Sequence, residues 1–325
     1  MTQDYIQDLV VLPDKAREMA HDYMNHIVDS RQHGVGIQSG LRTLDQHLNP
    51  LLPGQMRVIM GRPGNGKTAL MMHFTRSAAA KRIAEGNSSI GPPVMVTAEM
   101  SVEELMLREI SHNVPVDSIE LERGIYDDWD KAHEAIDRIF ATQPIVYIGH
   151  SLTGDRKRPR LSVENIWKAM EYIQDKLGVT PAMVSLDYAQ RLKLDRVSRD
   201  RRTEVSEIVE TTKDMSLAFA VPVNLGSQVG RQVDERRPPV PELSDAKETA
   251  NLEETADSML SVMRPSKYYA IDERIPGTSL DCVEELFFVN IIKQRQGISG
   301  KGVWVWFDMA ISRIADLEVV RTELS

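Results

Sequence analysis

From about residue 34 onward the chain alternates between two hydrophobic patterns. Short apolar runs predict buried strands. They are "MRVIMG" (56–61), "VMVTA" (94–98), "IVYIG" (145–149), "AMVSLD" (182–187), "VPVNLG" (221–226), "MLSVM" (259–263), "ELFFVNIIKQR" (285–295) and "GVWVWFD" (302–308). Between them lie stretches with helical periodicity. One covers 68–85 and ends at Gly86. Another follows Ser101, which forms a capping box with Glu104. Two more cover 162–177, ending at Gly178, and 204–219. Strands alternating with helices predict an α/β fold, a mostly parallel doubly wound sheet covered on both faces. The last three strands lack intervening helices, so an antiparallel edge is expected.

Ahead of this alternation, residues 13–30 read as one amphipathic helix. Ala16, Met19, Ala20, Tyr23, Ile27 and Val28 fall near one stripe, and Pro13 suits a first helical position. "RQHGVGIQSG" then breaks the pattern with three glycines. A lone helix cannot bury its own apolar stripe, so it must dock on the main body or on another chain. The expected division is an N-terminal arm and linker helix (1–33), one large domain (34–318) and a tail (319–325).

Composition narrows the partners. Of 325 residues, 42% are hydrophobic and 27% charged, a soluble globular profile, and the net charge of −9 argues against a surface coated in basic residues. Local basic loops remain compatible with nucleic acid. The lone Cys282 gives neither a disulfide nor a zinc cluster and suits a reducing cytosol, so a cytoplasmic location is expected. The N-terminus lacks the pattern of a signal peptide, and no run approaches the length of a membrane span.

The chemistry gathers at strand ends, where ligands of parallel sheets bind. "GRPGNGKT" (61–68) fits the Walker A pattern G-x-x-x-x-G-K-[ST] in full, between a strand and a helix. Gly61, Gly64 and Gly66 let the backbone of Arg62, Pro63 and Asn65 curl. Its N–H groups then line a nest on a helix that opens with Lys67, Thr68 and Ala69. Lys67 would reach the β- and γ-phosphates of ATP and Thr68 would ligate Mg²⁺. Asp187, at the tip of an apolar strand, suits the Mg²⁺ shell; its bland alternative is a loop cap. Glu99, just past the second strand, either orients an attacking water or is a first-turn helix acid. Ser227 and Gln228 end another strand, where an amide can touch the γ-phosphate or simply complete a polar loop. Lys293 and Arg295 share a strand face, because alternate residues point the same way.

These motifs, with "SGLRTLDQHLNPLLPGQMRVIMGRPGNGKTAL", "VTAEMS" followed by Arg108, "SLDYAQRL", "GSQVGRQ", "DAKETANLEETAD" and "NIIKQRQG" in that order, resemble the RecA-like C-terminal domain of DnaB-type replicative helicases over residues 14–308. The resemblance implies a ring of usually six subunits with ATP between neighbours. It implies Glu99 as the catalytic carboxylate, Asp187 as the Mg²⁺-linked acid and Gln228 as the coupling residue. Lys293 and Arg295 would be fingers that reach into the next subunit's site. Single-stranded DNA would be gripped by the loop at Lys247, Glu248, Thr249 and Ala250, where the family has the form R-E-S-G. Lys for Arg keeps the charge but loses the planar fork.

Two basic runs are further DNA candidates. "RLKLDRVSRDRR" (191–202) carries Arg199, Arg201 and Arg202 on the expected pore side, and "GDRKRPR" (154–160) looks like an insertion. Either run is a solvated loop on the plainer reading. On this reading the family's primase-recruiting N-terminal domain is expected to be missing, with only the linker-like helix in its place. The expectation is therefore a compact enzyme of phage, plasmid or other mobile-element type, with a helicase loader or primase as further partner. The leading function is an ATP-driven translocase that unwinds duplex DNA during replication. The alternative is a RecA-core ATPase that does not unwind, such as a recombination mediator or a KaiC-like ATPase.

Overall fold

The computed structural model describes residues 11–29, 36–86, 90–152, 160–196, 200–246 and 252–317. Two compact units divide the chain, Met1–Gly36 and Ile37–Ser325. In the first, α1 (Pro13–Asp29) carries Asp14 in its first turn, where an acid complements the helix dipole, and leaves Met19 and Met24 exposed. The predicted helix is present throughout 13–29, and residue 30 of the expected span lies outside the described residues. None of the helices described here is long and apolar enough to cross a membrane.

Among its described residues the second unit has eleven strands. These are β1 (Met56–Gly61), β2 (Ile90–Gly91), β3 (Val94–Thr97), β4 (Val146–Ile148), β5 (Thr180–Pro181), β6 (Val184–Asp187), β7 (Val223–Gln228), β8 (Ser258–Met263), β9 (Leu286–Gln294), β10 (Lys301–Asp308) and β11 (Arg313–Asp316). Nine of them form one sheet in the order β11-β10-β9-β8-β1-β7-β6-β3-β4, while β2 and β5 pair separately. From β8 to β4 every pairing is parallel. From β8 outward to β11 each is antiparallel, as the missing crossover helices predict.

Alternation along the central strands sorts the two faces. Val58, Met60, Val96 and Leu186 join one apolar cluster, together with Ile166 and Met170 of the helix Val163–Leu177 and Ile208 and Met215 of the helix Arg201–Ala218. Ile59 and Met95 point the other way, into a second cluster with Leu70, Met71 and Phe74 of the helix Lys67–Ala84. The helices of this unit are α2 (Arg42–Asp45), α3 (Lys67–Ala84), α4 (Val102–Asn113), α5 (Ser118–Glu122), α6 (Trp129–Thr142), α7 (Val163–Leu177), α8 (Arg201–Ala218), α9 (Leu243–Ala246) and α10 (Leu252–Thr255).

Local signals account for several ends. The Ser101 hydroxyl accepts from Glu104 N at 3.1 Å and the Glu104 carboxylate accepts from Ser101 N at 2.6 Å, which completes the capping box. Gly178 closes α7 in the left-handed conformation. Helix α8 starts at Arg201, three residues before the sequence expectation. Asp200 caps it by accepting from Thr203 N at 2.9 Å.

Register sets the site. Gly61 lies level with Gln228, and Thr97 level with Asp187. The carboxyl ends of β1, β7, β6 and β3 therefore converge on one edge of the sheet.

Candidate active site

The phosphate loop leaves β1 at Gly61 and enters α3 at Lys67. Gly64 and Gly66 have φ of +70° and +84°, a region closed to most side chains. A Cβ on Gly66 would also lie 2.9 Å from the Phe287 ring. The back of the loop is fastened to its surroundings. Asn65, fully buried, donates to the Tyr268 hydroxyl at 3.1 Å and accepts from Arg264 N at 2.9 Å. Lys267 donates to the Pro63 carbonyl at 2.8 Å. The Arg62 guanidinium pairs with Asp234 at 3.0 Å and donates to the Val229 carbonyl. The side chains of Arg62 and Asn65 thus brace the loop from behind, and only its backbone is left to face a phosphate.

On the open side, Lys67 is buried and donates to the carbonyls of Gly61 and Arg62 at 3.0 and 3.2 Å. Burial lowers its pKa, opposed by the charges of Asp187 and Glu99. The Thr68 hydroxyl donates to Asp187 Oδ2 at 2.5 Å. Asp187 Oδ1 is buried without a hydrogen bond, and burial raises this carboxyl above its ordinary range. An unmatched carboxylate oxygen beside a hydroxyl suits a hard divalent cation. The described residues hold no cluster of three or more His, Cys, Asp or Glu that could cage a metal. The donor set therefore fits Mg²⁺ shared with substrate phosphates rather than enclosed by protein.

These groups open on a cavity of about 530 Å³ lined by Gly64, Lys67, Thr68, Glu99, Arg108 and Gln228. Glu99 is exposed, two residues beyond β3, and its charge is felt at Lys67, Asp187 and Arg108. Gln228 is held by a neighbour that sequence reasoning missed. Gln190 accepts from Gln228 N at 3.0 Å and donates to the Ser227 hydroxyl at 3.0 Å. Arg108 and Tyr188 stand in the motifs that carry the resemblance, though the sequence alone assigned them no role. Arg108 lies one turn after Glu104 on α4, and both line the cavity. Tyr188 directly follows Asp187 and sets its ring 6.0 Å from the Lys67 ammonium.

Lys293 and Arg295 stand elsewhere. Gln294 pairs with Ser258, and Ser258 pairs with Arg57, four residues before Gly61. At about 3.3 Å per residue, the two cations are roughly 13 Å of strand away from the loop of their own chain, at the opposite edge of the sheet. There Lys293 donates to the carbonyls of Glu253 and Ala256, the latter at 2.7 Å. Arg295 pairs with Asp257 at 2.9 Å while half of its side chain stays exposed.

Comparison with known proteins places the chain in a family. A family model described as "DnaB-like helicase C terminal domain" matches residues 36–316. The chain belongs to that family. It is 28% identical over 283 residues to a replicative DNA helicase DnaB of Leifsonia xyli subsp. xyli, covering 87% of this chain and 56% of the relative. Across the curated relatives compared, the chain spans between 47% and 61% of their length. The ATPase domain of G40P superposes with a TM-score of 0.74 at 23% identity, covering 92% of this chain and 98% of that one. A KaiC-like protein of Pyrococcus horikoshii shares the fold at 14% identity with a TM-score of 0.51, covering 87% of this chain and 98% of that one. The family match thus favours the DnaB-type reading over the KaiC-like alternative.

Of the DNA-contact residues expected in this DnaB-like domain, Lys247, Glu248, Ala250 and Arg199 lie outside the described residues, as do 154–159 of the second basic run. The root of the first loop is described. Asp245 is buried and accepts from Arg236 and, at 2.7 Å, from Glu242 N. Arg202 is exposed near the start of α8. Arg201 turns inward instead. It pairs with Glu204 and donates to the carbonyls of Gln190 and Leu192, which fastens the loop after β6 onto α8. Lys193 and Arg196 are likewise paired, with Glu204 and Glu207. Much of this run's positive charge is therefore matched within the chain.

Proposed function

We propose that this chain is the motor of a DnaB-type replicative helicase, a hexameric ATPase that moves along single-stranded DNA and opens the duplex ahead of it, acting in the cytoplasm. One observation carries the reading. The phosphate loop with Asp187, Glu99 and Gln228 occupies one edge of the sheet, while Lys293 and Arg295 stand at the opposite edge. A cation that cannot reach its own loop can complete the site of an adjoining copy.

ATP with Mg²⁺ would supply the phosphoanhydride bond and the charge that neutralises it. Gly61–Ala69 would cradle the phosphates through backbone N–H groups, with the Lys67 ammonium on the β- and γ-oxygens. Thr68 and Asp187 would hold the cation. Glu99, exposed at the mouth of the cavity, would orient and polarise the attacking water. Lys293 and Arg295 of the next copy would stabilise charge developing on the transferred phosphoryl group. Such an arginine contributes about 10³ to 10⁵ in rate. Gln228 would register the terminal phosphate and relay its loss through Gln190 to the loop after β6. Lys247, Glu248, Ala250, Arg199 and Arg202 would contact the DNA backbone, and a helicase loader or primase would dock outside this motor.

The test combines two measurements on the full chain. ATP turnover per subunit should rise with protein concentration as rings form, and a forked duplex should open with ATP. Subunits carrying Arg295→Ala and subunits carrying Glu99→Ala should each be inactive, and mixing them should restore part of the turnover. Full turnover by dilute single copies would overturn the reading.

A further inference from the structure

The carboxylate of Asp257 joins three parts of the fold. Its side chain is 8% exposed. Oδ2 accepts from Met56 N, the first residue of β1, at 2.8 Å and from Lys213 of α8 at 2.7 Å. Lys213 also donates to the Gly54 carbonyl at 2.7 Å, so this side of the carboxylate is fixed to the frame. Oδ1 takes NH1 of Arg295 at 2.9 Å. The main chain closes the arrangement, because Arg295 N donates to the Asp257 carbonyl at 2.9 Å. The arginine is therefore held at its root and at its tip by one residue.

The contact is one-sided. Asp257 engages one terminal nitrogen of the guanidinium, and Glu254 O lies 3.5 Å from the other. A guanidinium carries five N–H donors in a rigid fork. With 54% of the side chain exposed, the rest of the fork remains open to a further anion. Lys293 beside it is fixed in the same manner by the carbonyls of Glu253 and Ala256.

We propose that Asp257 is a positioning residue that aims Arg295 across the subunit boundary at the neighbour's nucleotide. The inference rests on the reading of Arg295 as a finger acting on an adjoining copy. Without the carboxylate, a long flexible side chain would have to be ordered each time a phosphate is engaged. With it, the fork stands ready in one direction, and pre-ordering of this kind acts on the rate of the chemical step. The competing role is structural. By accepting from Met56 N, Asp257 also supports β1, whose far end is the phosphate loop of its own subunit.

Those two roles fall on different subunits, so mixed rings separate them. Asp257→Asn keeps the shape of the side chain and removes its charge. Turnover should fall about 10-fold with the KM for ATP little changed. Subunits with Asp257→Asn mixed with Lys67→Ala subunits should regain activity, because the intact loop of one then meets the intact finger of the other. Mixed with Arg295→Ala subunits they should regain none. The reverse pattern would place Asp257 with its own phosphate loop and overturn the proposal. So would wild-type turnover by Asp257→Asn. Lys213→Met removes the structural partner alone and should keep turnover near wild type; a loss equal to that of Asp257→Asn would also overturn it. Should the asparagine variant fail to fold, Asp257→Glu enters the same mixtures with the same expected grouping. Full ATP turnover by Arg295→Ala would instead sink the finger reading itself.

Discussion

Thr68 and Asp187 meet through a hydrogen bond of 2.5 Å from the hydroxyl to Oδ2, while Oδ1 of the same buried carboxylate receives none. Gly226 on β7 leaves room for that bare oxygen, since a Cβ there would stand 3.0 Å from it. In Asp187→Asn the amide keeps the shape and loses the charge. Turnover or metal affinity should fall by about 10- to 100-fold. Titrating Mg²⁺ at saturating ATP checks this. An unchanged Mg²⁺ dependence would remove Asp187 from the metal shell.

Asn65 contributes from behind the phosphate loop. Asn65→Ala would leave Arg264 N without its buried acceptor and Tyr268 without its donor. Leaving a buried group unpaired costs about 1–3 kcal/mol. The variant should lose stability of that order in denaturant titrations and bind nucleotide more weakly. Gly66→Ala should be harsher, because the left-handed φ and the Phe287 ring both exclude a methyl group. Tight nucleotide binding by Gly66→Ala would contradict this loop geometry.

Much of this arrangement can be read in the sequence, and the remainder fails for a common reason. The complete Walker A pattern, the strand tips at Asp187 and Gln228, the Ser101–Glu104 box and the antiparallel edge are local signals or follow from chain order. The short edge strand β11, the two-residue pair β2 and β5, and the helices over 118–142 were not anticipated. Four residues of "RIAD" carry no alternation strong enough to stand out. Arg108, Tyr188 and Gln190 stand in the motifs that carry the resemblance, but no role was assigned to them, because their roles depend on which strand ends become neighbours. β1 sits between β7 and β8, strands that come more than 160 residues later. The inward turn of Arg201 was hidden for the same reason. A charge run does not show that Glu204 and two carbonyls wait for it.

Gln190 offers a test of how the site reports on its contents. It grips both the N–H and the carbonyl of Gln228, and its own carbonyl accepts from Arg201. Gln190→Ala should leave nucleotide binding near wild type while reducing the stimulation of turnover by single-stranded DNA about 10-fold, since the loop after β6 would no longer follow Gln228. Fluorescent-nucleotide binding and ATP turnover with and without oligonucleotide measure the two parts separately. Loss of binding with stimulation intact would reverse the assignment.

Acid stability tests a second buried region. His73 and His112 line a cavity of about 380 Å³ beside α3, together with Arg76 and Gln143. Burial, reinforced by the Arg76 charge, pushes His73 down to about 3 and His112 down to about 4. Both are thus held neutral in the fold, whereas an unfolded chain protonates them near 6.5. The unfolded state therefore binds more protons below that pH. The stabilisation is fully present above about pH 6.5 and is lost as pH falls toward 4, on the order of 2 kcal/mol per histidine between pH 7 and 5. Buried Glu109 and Asp187, raised by desolvation, act in the opposite sense at lower pH, so variants isolate the histidines better than the slope alone. Urea unfolding at pH 7 and 5 should show wild type losing stability, and His73→Met and His112→Met each flattening that loss. Wild-type pH dependence in both variants would show that neither imidazole is excluded from protonation in the fold.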